Sequence, residues 1–117
     1  MSDDLASKTC SACAGAIAPL EPEEQARLLS QLAGWSIING HHLQRRYEFK
    51  NYKRTLAFVN EVAAVAEAEK HHPNITFTWG KATVEIWTHS VDGLTEADFI
   101  LAAKIGNCQP PADSPKP

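Results

Sequence analysis

The segment from Tyr52 to about His71 contains neither glycine nor proline and lies between two stretches that alternate apolar and polar side chains. Within it apolar residues recur at spacings of three and four, the period of one face of an α-helix. These residues are Leu56, Val59, Val62, Ala63 and Ala66. We predict a long central helix that ends at Pro73, because proline cannot continue a helix.

The stretches on either side of this helix are typical of β-hairpins. The Asn39-Gly40 pair, which favours a tight turn, separates residues 35–38 from residues 43–49. The second strand alternates imperfectly, since Arg45 falls on the apolar parity. After the helix, residues 75–79 and 84–88 alternate around Gly80-Lys81, which predicts a second hairpin.

Two shorter helices complete the pattern. Residues 21–33 have Pro22 near the start and Gly34 at the position of a stop, while Thr95 with Asp98 resembles a capping box that opens a helix ending near Gly106. The predicted order is α-β-β-α-β-β-α. We therefore predict an α+β fold, a four-stranded antiparallel sheet with three helices packed on one face.

The 117 residues and the 44% apolar composition are those of one folded domain. We assign residues 21–106 to this domain. Residues 1–20 lack sustained periodicity and are predicted to be a flexible N-terminal tail. Residues 107–117 hold four of the seven prolines and are predicted to be a Pro-rich C-terminal tail.

Charge and hydropathy argue against several classes of partner. A formal net charge of −3 offers no excess of cations for phosphates, so we expect no nucleic-acid ligand. No apolar run approaches the roughly 20 residues that span a bilayer, so we expect no membrane partner. Residues 2–4 are polar or acidic where a secretory signal would be basic, and three cysteines are an odd number. We predict a cytoplasmic protein without a disulfide framework.

Three histidines lie at element ends that this fold brings together. His71 and His72 end the central helix, and His89 ends the last strand. Imidazole donates or accepts a proton near pH 7, so such a cluster suits general acid-base catalysis. A single histidine at a helix end is more often solvated, or interacts with the helix dipole. His41 and His42, beside the first turn, are predicted to be solvated.

Other uses of these residues stay open. Three histidines can bind a catalytic zinc ion, although adjacent residues at a helix end point about 100° apart. Cys10-x-x-Cys13 is half of a metal or redox site without a second pair. Glu67 lies four residues before His71, so its carboxylate can orient that imidazole, or it is an ordinary surface residue.

The segment of residues 67–73, with Trp79, His89 and Asp98 at spacings of six, ten and nine, resembles the signature of the pterin-4a-carbinolamine dehydratases. The resemblance covers about residues 28–105. Within the family it is similar to the bacterial branch that accompanies phenylalanine hydroxylase. It implies dehydration of 4a-hydroxytetrahydrobiopterin to quinonoid dihydropterin and water, with no metal or organic cofactor.

The resemblance also implies a site. Carried over by motif position, His71 and His89 are implied to transfer protons, with exchanged roles for the two hydroxyl stereoisomers, and His72 mainly to hold the substrate. Five further residues are implied to support the site or contact the pterin: Glu67, Trp87, Thr88, Ser90 and Asp98.

The resemblance implies a homodimer or homotetramer and a functional link to phenylalanine hydroxylase. Animal relatives also act as dimerisation cofactors of a transcription factor, so a non-enzymatic partner-binding protein of the same fold is the main alternative. An intact set of three histidines favours the enzyme, because binding a protein does not require positioned imidazoles. A zinc-dependent hydrolase is the third interpretation.

Overall fold

A computed structural model of the chain describes residues 18–108, so Cys10 and Cys13 lie outside the described residues. It contains three helices and one four-stranded antiparallel sheet in the predicted order, which confirms the α+β fold. The elements are α1 (Pro22–Leu29), β1 (Ser36–Ile38), β2 (His42–Glu48), α2 (Tyr52–Glu69), β3 (Asn74–Thr78), β4 (Lys81–Ile86), a 3₁₀ turn (His89–Val91) and α3 (Glu96–Gly106).

The sheet runs in the order β1-β2-β4-β3, with β1 and β3 at its edges. Asn39 and Gly40 both have left-handed φ angles, 55° and 65°, so the predicted tight turn is present between β1 and β2. Alternate residues of β4 are buried beneath the helices. The core joins both layers, and its largest fully buried apolar side chains are Phe58, Phe99, Leu43, Ile86, Leu94, Leu101, Ile105, Val62 and Val84.

The inner face of α2 differs in part from the predicted one. Val62 and Ala66 are buried as expected, but Leu56 is 39% exposed. Thr55 lies inside instead, because its hydroxyl accepts a hydrogen bond from the Gly80 N–H at 3.1 Å and donates to the Asn51 carbonyl. The buried face of α2 therefore begins with Thr55 and continues through Phe58, Val62 and Ala66. Within residues 18–108, α2 and the other helices lack the length and apolar character needed to cross a membrane.

Arg45 explains the imperfect alternation of β2. Its guanidinium lies over the Tyr47 ring, 4.6 Å from the centroid, and Nη1 donates to the Ala33 carbonyl at 3.0 Å. That carbonyl belongs to the loop after α1, because α1 ends at Leu29 rather than near residue 33. Burial raises the pKa of Tyr47 to about 12. The arginine thus satisfies a loop carbonyl from the inner parity of the strand.

Candidate active site

The end of α2 determines which histidine faces inward. Lys70 adopts a left-handed conformation with φ of 57°, and the His71 N–H donates to the Ala66 carbonyl at 3.2 Å. The Lys70 N–H donates to the Glu67 carbonyl, which completes a Schellman arrangement. The expectation that the helix continues to His71 and ends at Pro73 is therefore wrong. The chain leaves the helix at Lys70, and His71 is directed toward the core.

His71 is paired with Asp98 rather than with Glu67. Its Nε2 lies 2.6 Å from Asp98 Oδ1, in a buried contact between the end of α2 and the first turn of α3. Glu67 instead accepts a hydrogen bond from His72 Nε2 at 3.0 Å, where both side chains are exposed. The expected alignment of Glu67 with His71 is wrong, because spacing by four brings side chains together only while the helix continues.

Asp98 accepts three hydrogen bonds in the interior. Besides His71, the Thr88 hydroxyl and the Thr95 backbone N–H both donate to Oδ2 at 2.8 Å. Because the Thr88 proton is directed to the carboxylate, the Thr95 hydroxyl donates to Thr88 Oγ1 at 2.9 Å. The capping box predicted from Thr95 and Asp98 is confirmed. The cap of α3 thus also holds the carboxylate against His71.

This pairing sets the tautomer of His71. An ionised carboxylate only accepts hydrogen bonds, so the His71 proton resides on Nε2. Nδ1 then carries a lone pair in the neutral ring, and it makes no hydrogen bond within the part of the chain that the structure describes. His71 is therefore a fixed imidazole with one nitrogen available for proton exchange.

A cleft of about 470 Å³ brings the three predicted histidines together. This volume lies within the range of sites for small molecules, roughly 300 to 1,000 Å³. The cleft lies where α2 ends, β3 begins and the chain leaves β4. Its lining residues are Lys70, His71, His72, Pro73, Asn74, Thr88, His89 and Ser90.

The other implied site residues, Asp98, Glu67 and Trp87, each contact one of the lining histidines. Asp98 is behind His71, and Glu67 is on the solvent side of His72. Trp87 stacks on His89, with ring centroids 4.6 Å apart and planes at 10°. Each lining histidine is thus backed by one of these residues.

The prediction that His41 and His42 are solvated is wrong. Their side chains are 34% and 17% exposed, and both rings contact Trp87. His41 Nε2 lies 2.8 Å from Asp92 Oδ1. The pairing of Leu43 with Ile86 places these histidines beside Trp87. A signal was present in the sequence, since Trp87 is a large aromatic residue on the polar parity of β4.

The zinc interpretation needs a convergent ligand set. Between residues 18 and 108, no group of three or more histidine, cysteine, aspartate or glutamate side chains is arranged to hold a metal ion. In particular, His71 directs Nε2 to Asp98, whereas His72 directs Nε2 to Glu67. His71 and His72 therefore face two different carboxylates rather than one common point.

Comparisons with known proteins identify the family of the chain. A sequence model of the family described as "Pterin 4 alpha carbinolamine dehydratase" matches residues 18–108. A protein of Rubrobacter xylanophilus, whose name places it among the pterin-4-alpha-carbinolamine dehydratases, is 48% identical over 102 residues, which cover 87% of this chain and 95% of that protein.

Two solved structures share the fold. The "transcriptional coactivator/pterin dehydratase" of Brucella melitensis aligns with a TM-score of 0.70 and 30% identity, over 75% of this chain and 95% of that one. A "pterin dehydratase-like protein" identified as a RuBisCO assembly factor in the alpha-carboxysome aligns with a TM-score of 0.53 and 27% identity, over 62% and 84%. The chain belongs to the pterin-4-alpha-carbinolamine dehydratase family and is a hydro-lyase.

Proposed function

We propose that this dehydratase removes water from 4a-hydroxytetrahydrobiopterin by acid-base catalysis, with His71 and His89 as the proton-transfer residues and His72 as a substrate contact. The observation that carries the proposal is the convergence of all three imidazoles on one cleft. Thr88 and Ser90 line the same cleft and contact the pterin ring in this proposal. No metal or organic cofactor takes part.

The reaction requires one acid and one base. The bond between C4a and the hydroxyl oxygen breaks, and the oxygen leaves as water after it receives a proton. The N5–H proton goes to the base, and the N5 electrons form the C4a=N5 double bond of the quinonoid product. Each transfer is within the capacity of imidazole near neutral pH. The electrons stay within the substrate, so no oxidant or reductant is needed.

The two proton-transfer residues differ in their support. His71 has Nδ1 free for exchange, while its Nε2 is held by Asp98. His89 begins the 3₁₀ turn after β4 and is exposed at the cleft. The two hydroxyl stereoisomers present their leaving oxygen on opposite faces of the ring. In this proposal His71 and His89 exchange the roles of acid and base between the stereoisomers.

The test is a stopped assay of carbinolamine breakdown with each stereoisomer, measured against the spontaneous reaction. General acid-base catalysis by one side chain contributes roughly 10²- to 10⁴-fold. We expect His71→Ala and His89→Ala to lower kcat by amounts in this range, unequally for the two stereoisomers. Equal, small effects of both substitutions on both stereoisomers would mean that the cleft only binds pterin.

Chelation separates the proposal from the zinc alternative. We expect dialysis against a chelator to leave kcat unchanged. Loss of activity that added zinc restores would overturn the proposal, because acid-base catalysis by imidazole does not need a metal ion.

The carbinolamine is the pterin product of aromatic amino acid hydroxylases, so we further propose that the enzyme recycles the cofactor of a phenylalanine hydroxylase. With limiting tetrahydropterin and a quinonoid-dihydropterin reductase, we expect added enzyme to sustain hydroxylation and His71→Ala protein to fail. Equal hydroxylation with both proteins would contradict this link. A cytoplasmic location remains our prediction.

A second candidate is partner binding by a homodimer or homotetramer. The names of the two solved structures include a transcriptional coactivator and an assembly factor, and β1 and β3 leave open sheet edges in the described part of this chain. Open edges favour cover by another chain. Light scattering would give the oligomeric state. If the purified protein forms an oligomer but shows no dehydratase activity, this candidate would be favoured.

A further inference from the structure

A second pair of histidines lies beside the cleft, on the sheet face opposite the helices. His41 and His42 follow the β1–β2 turn, and their Nδ1 atoms are 3.0 Å apart. Each ring directs its other nitrogen toward a carboxylate: His41 Nε2 lies 2.8 Å from Asp92 Oδ1, and His42 Nε2 lies 3.6 Å from Glu85 Oε2. The pair is therefore anchored through His41 by its hydrogen bond with Asp92, while His42 only approaches Glu85.

These contacts fix the proton positions in the neutral pair. Asp92 only accepts, so His41 carries its proton on Nε2 and its Nδ1 is an acceptor. The proton between the rings must then be on His42 Nδ1, which donates to His41. The two rings are therefore held in defined orientations by the carboxylate and by each other.

Trp87 connects this pair to the cleft. Its indole centroid is 5.2 Å from that of His41 and 5.7 Å from that of His42, with tilted planes. On His89 the same indole is stacked almost parallel at 4.6 Å. Within residues 18–108, no ring contact joins either histidine of the pair directly to His89. The connection between the rings passes through Trp87.

The orientation of the His89 ring depends on stacking, whereas the His71 ring is held by a hydrogen bond to Asp98. The imidazole of His89 makes no hydrogen bond and no ion pair within the described residues, and the residue is exposed. Its backbone carbonyl accepts from the Asp92 N–H at 3.2 Å, so the residue that anchors His41 also closes the turn that carries His89. Stacking on Trp87 is thus the contact that orients the His89 ring.

We propose that Trp87 is a positioning residue for His89, and that His41 and Asp92 hold the indole in place. The inference rests on the proposed role of His89 in proton transfer. A reacting group displaced by about 1 Å can lower the rate by up to 10²-fold, so the orientation of an exposed imidazole affects kcat. Trp87 is not among the lining residues of the cleft, so in this inference it acts through His89 instead of through the implied pterin contact.

Trp87→Ala is the principal test, with Trp87→Phe as the conservative variant. We expect the alanine variant to lower kcat about tenfold with KM within about twofold, because the imidazole loses its orientation while the substrate contacts remain. Phenylalanine retains a ring face, so its kcat should be within about threefold of wild type. His41→Ala, which removes only the anchor, should fall between the two.

Trp79→Ala is the matched control, because Trp79 is a 64% exposed tryptophan at the opposite end of the β3–β4 hairpin. We expect it to leave kcat unchanged. The structural measurement is the NMR shift of the His89 ring protons, which the indole face displaces upfield. This displacement should disappear in Trp87→Ala, persist in part in Trp87→Phe, and remain complete in Trp79→Ala.

Three outcomes separate the inference from the proposed function. A raised KM with unchanged kcat in Trp87→Ala would make Trp87 a pterin contact and overturn the inference. Wild-type kcat in Trp87→Ala, together with loss of activity in His89→Ala, would also overturn it and leave the proposed function standing. If wild type itself shows no dehydration above background, the proposed function fails. The NMR test is independent of activity: unchanged His89 ring-proton shifts in Trp87→Ala and His41→Ala would exclude the stacking of Trp87 on His89.

Discussion

Two adjacent residues, His71 and His72, each form a contact with a carboxylate, yet they belong to different environments. His71 lies 2.6 Å from Asp98, and the two side chains are 9% and 0% exposed. His72 lies 3.0 Å from Glu67, and these side chains are 63% and 82% exposed. Similar distances therefore describe a buried contact between two helices and a local contact in solvent.

The difference shows that the other partners of the carboxylate, more than the length of the contact, determine how firmly the imidazole is held. Asp98 is also bonded to Thr88 and Thr95, so it cannot move without breaking the cap of α3. Glu67 has no such constraint, and exposed pairs contribute about 0–1 kcal/mol. We infer that His71 has one orientation and that His72 has several. A fixed imidazole suits proton transfer, whereas an adaptable one suits substrate contact.

The largest effect that tests this comparison is on stability. Asp98→Ala would leave buried donors of His71, Thr88 and Thr95 without an acceptor, and each such group costs about 1–3 kcal/mol. We expect the free energy of unfolding to fall by about 3 kcal/mol or more, measured by urea denaturation.

Glu67→Ala is the matched control, because it removes a histidine-bonded carboxylate from the exposed pair. We expect its free energy of unfolding to change by no more than about 0.5 kcal/mol. Similar losses in Asp98→Ala and Glu67→Ala would show that the buried and exposed pairs are not different in kind.

Asp98→Asn sharpens the comparison by keeping the shape of the side chain. One amide oxygen can still accept from Thr95, but the NH₂ group then donates to His71 Nε2 and shifts the imidazole proton to Nδ1. In a Ser-His-Asp triad the corresponding change of tautomer lowers kcat by about 10⁴. We expect a loss of roughly 10²- to 10⁴-fold in kcat with a folded protein.

The tautomer itself can be measured from the ¹⁵N shifts of His71. If the Asp98→Asn protein has a wild-type kcat while His71 carries its proton on Nδ1, the tautomer set by Asp98 has no role in catalysis. Glu67→Gln, which makes the same change in the exposed pair, should leave kcat within about twofold, because its partner His72 is proposed to bind substrate rather than to transfer a proton.

Replacement of the two histidines themselves should affect different kinetic constants, kcat for His71 and KM for His72. We expect His71→Ala to lower kcat by roughly 10²- to 10⁴-fold, the contribution of one acid-base residue. His72→Ala should instead raise KM severalfold while kcat stays within about threefold, as expected for lost uniform binding. Steady-state kinetics corrected for the spontaneous reaction measures both. The reverse division would assign proton transfer to the exposed histidine.

Local motifs allowed much of this fold to be predicted from the sequence. The Asn39-Gly40 turn and the Thr95–Asp98 capping box are confirmed, because each is decided by backbone preferences and bonds within a few residues. The predicted element ends place His71, His72 and His89 together, and the resemblance to a known family implies their roles. All three line one cleft in the structure, and their roles as a site stay a prediction.

The pairing of carboxylates with histidines could not be predicted in the same way. Lys70 carries no signal for a left-handed helix end, so the sequence pattern predicts that the helix continues to about His71 and that Glu67 is aligned with this residue. The contact of His41 with Asp92 spans 51 residues and depends on how the turn after β1 packs beside β4. Such contacts follow from tertiary packing, which no local pattern contains.

The smallest expected effect is on stability and concerns Lys70, which ends α2 just before His71. Lys70 has a φ of 57°, and a left-handed conformation costs a side-chain-bearing residue about 1–2 kcal/mol that glycine does not pay. Glycine also has more freedom in the unfolded chain, which offsets part of this gain. We expect Lys70→Gly to raise the free energy of unfolding by about 0.5–1 kcal/mol, seen as a Tm increase of a few degrees. Ala68→Gly, two residues earlier in the right-handed helix, is the control and should lower stability by about 0.5–1 kcal/mol. Equal destabilisation by both substitutions would mean that the left-handed turn at Lys70 is not the native end of α2, and the contrast between His71 and His72 would lose its structural basis.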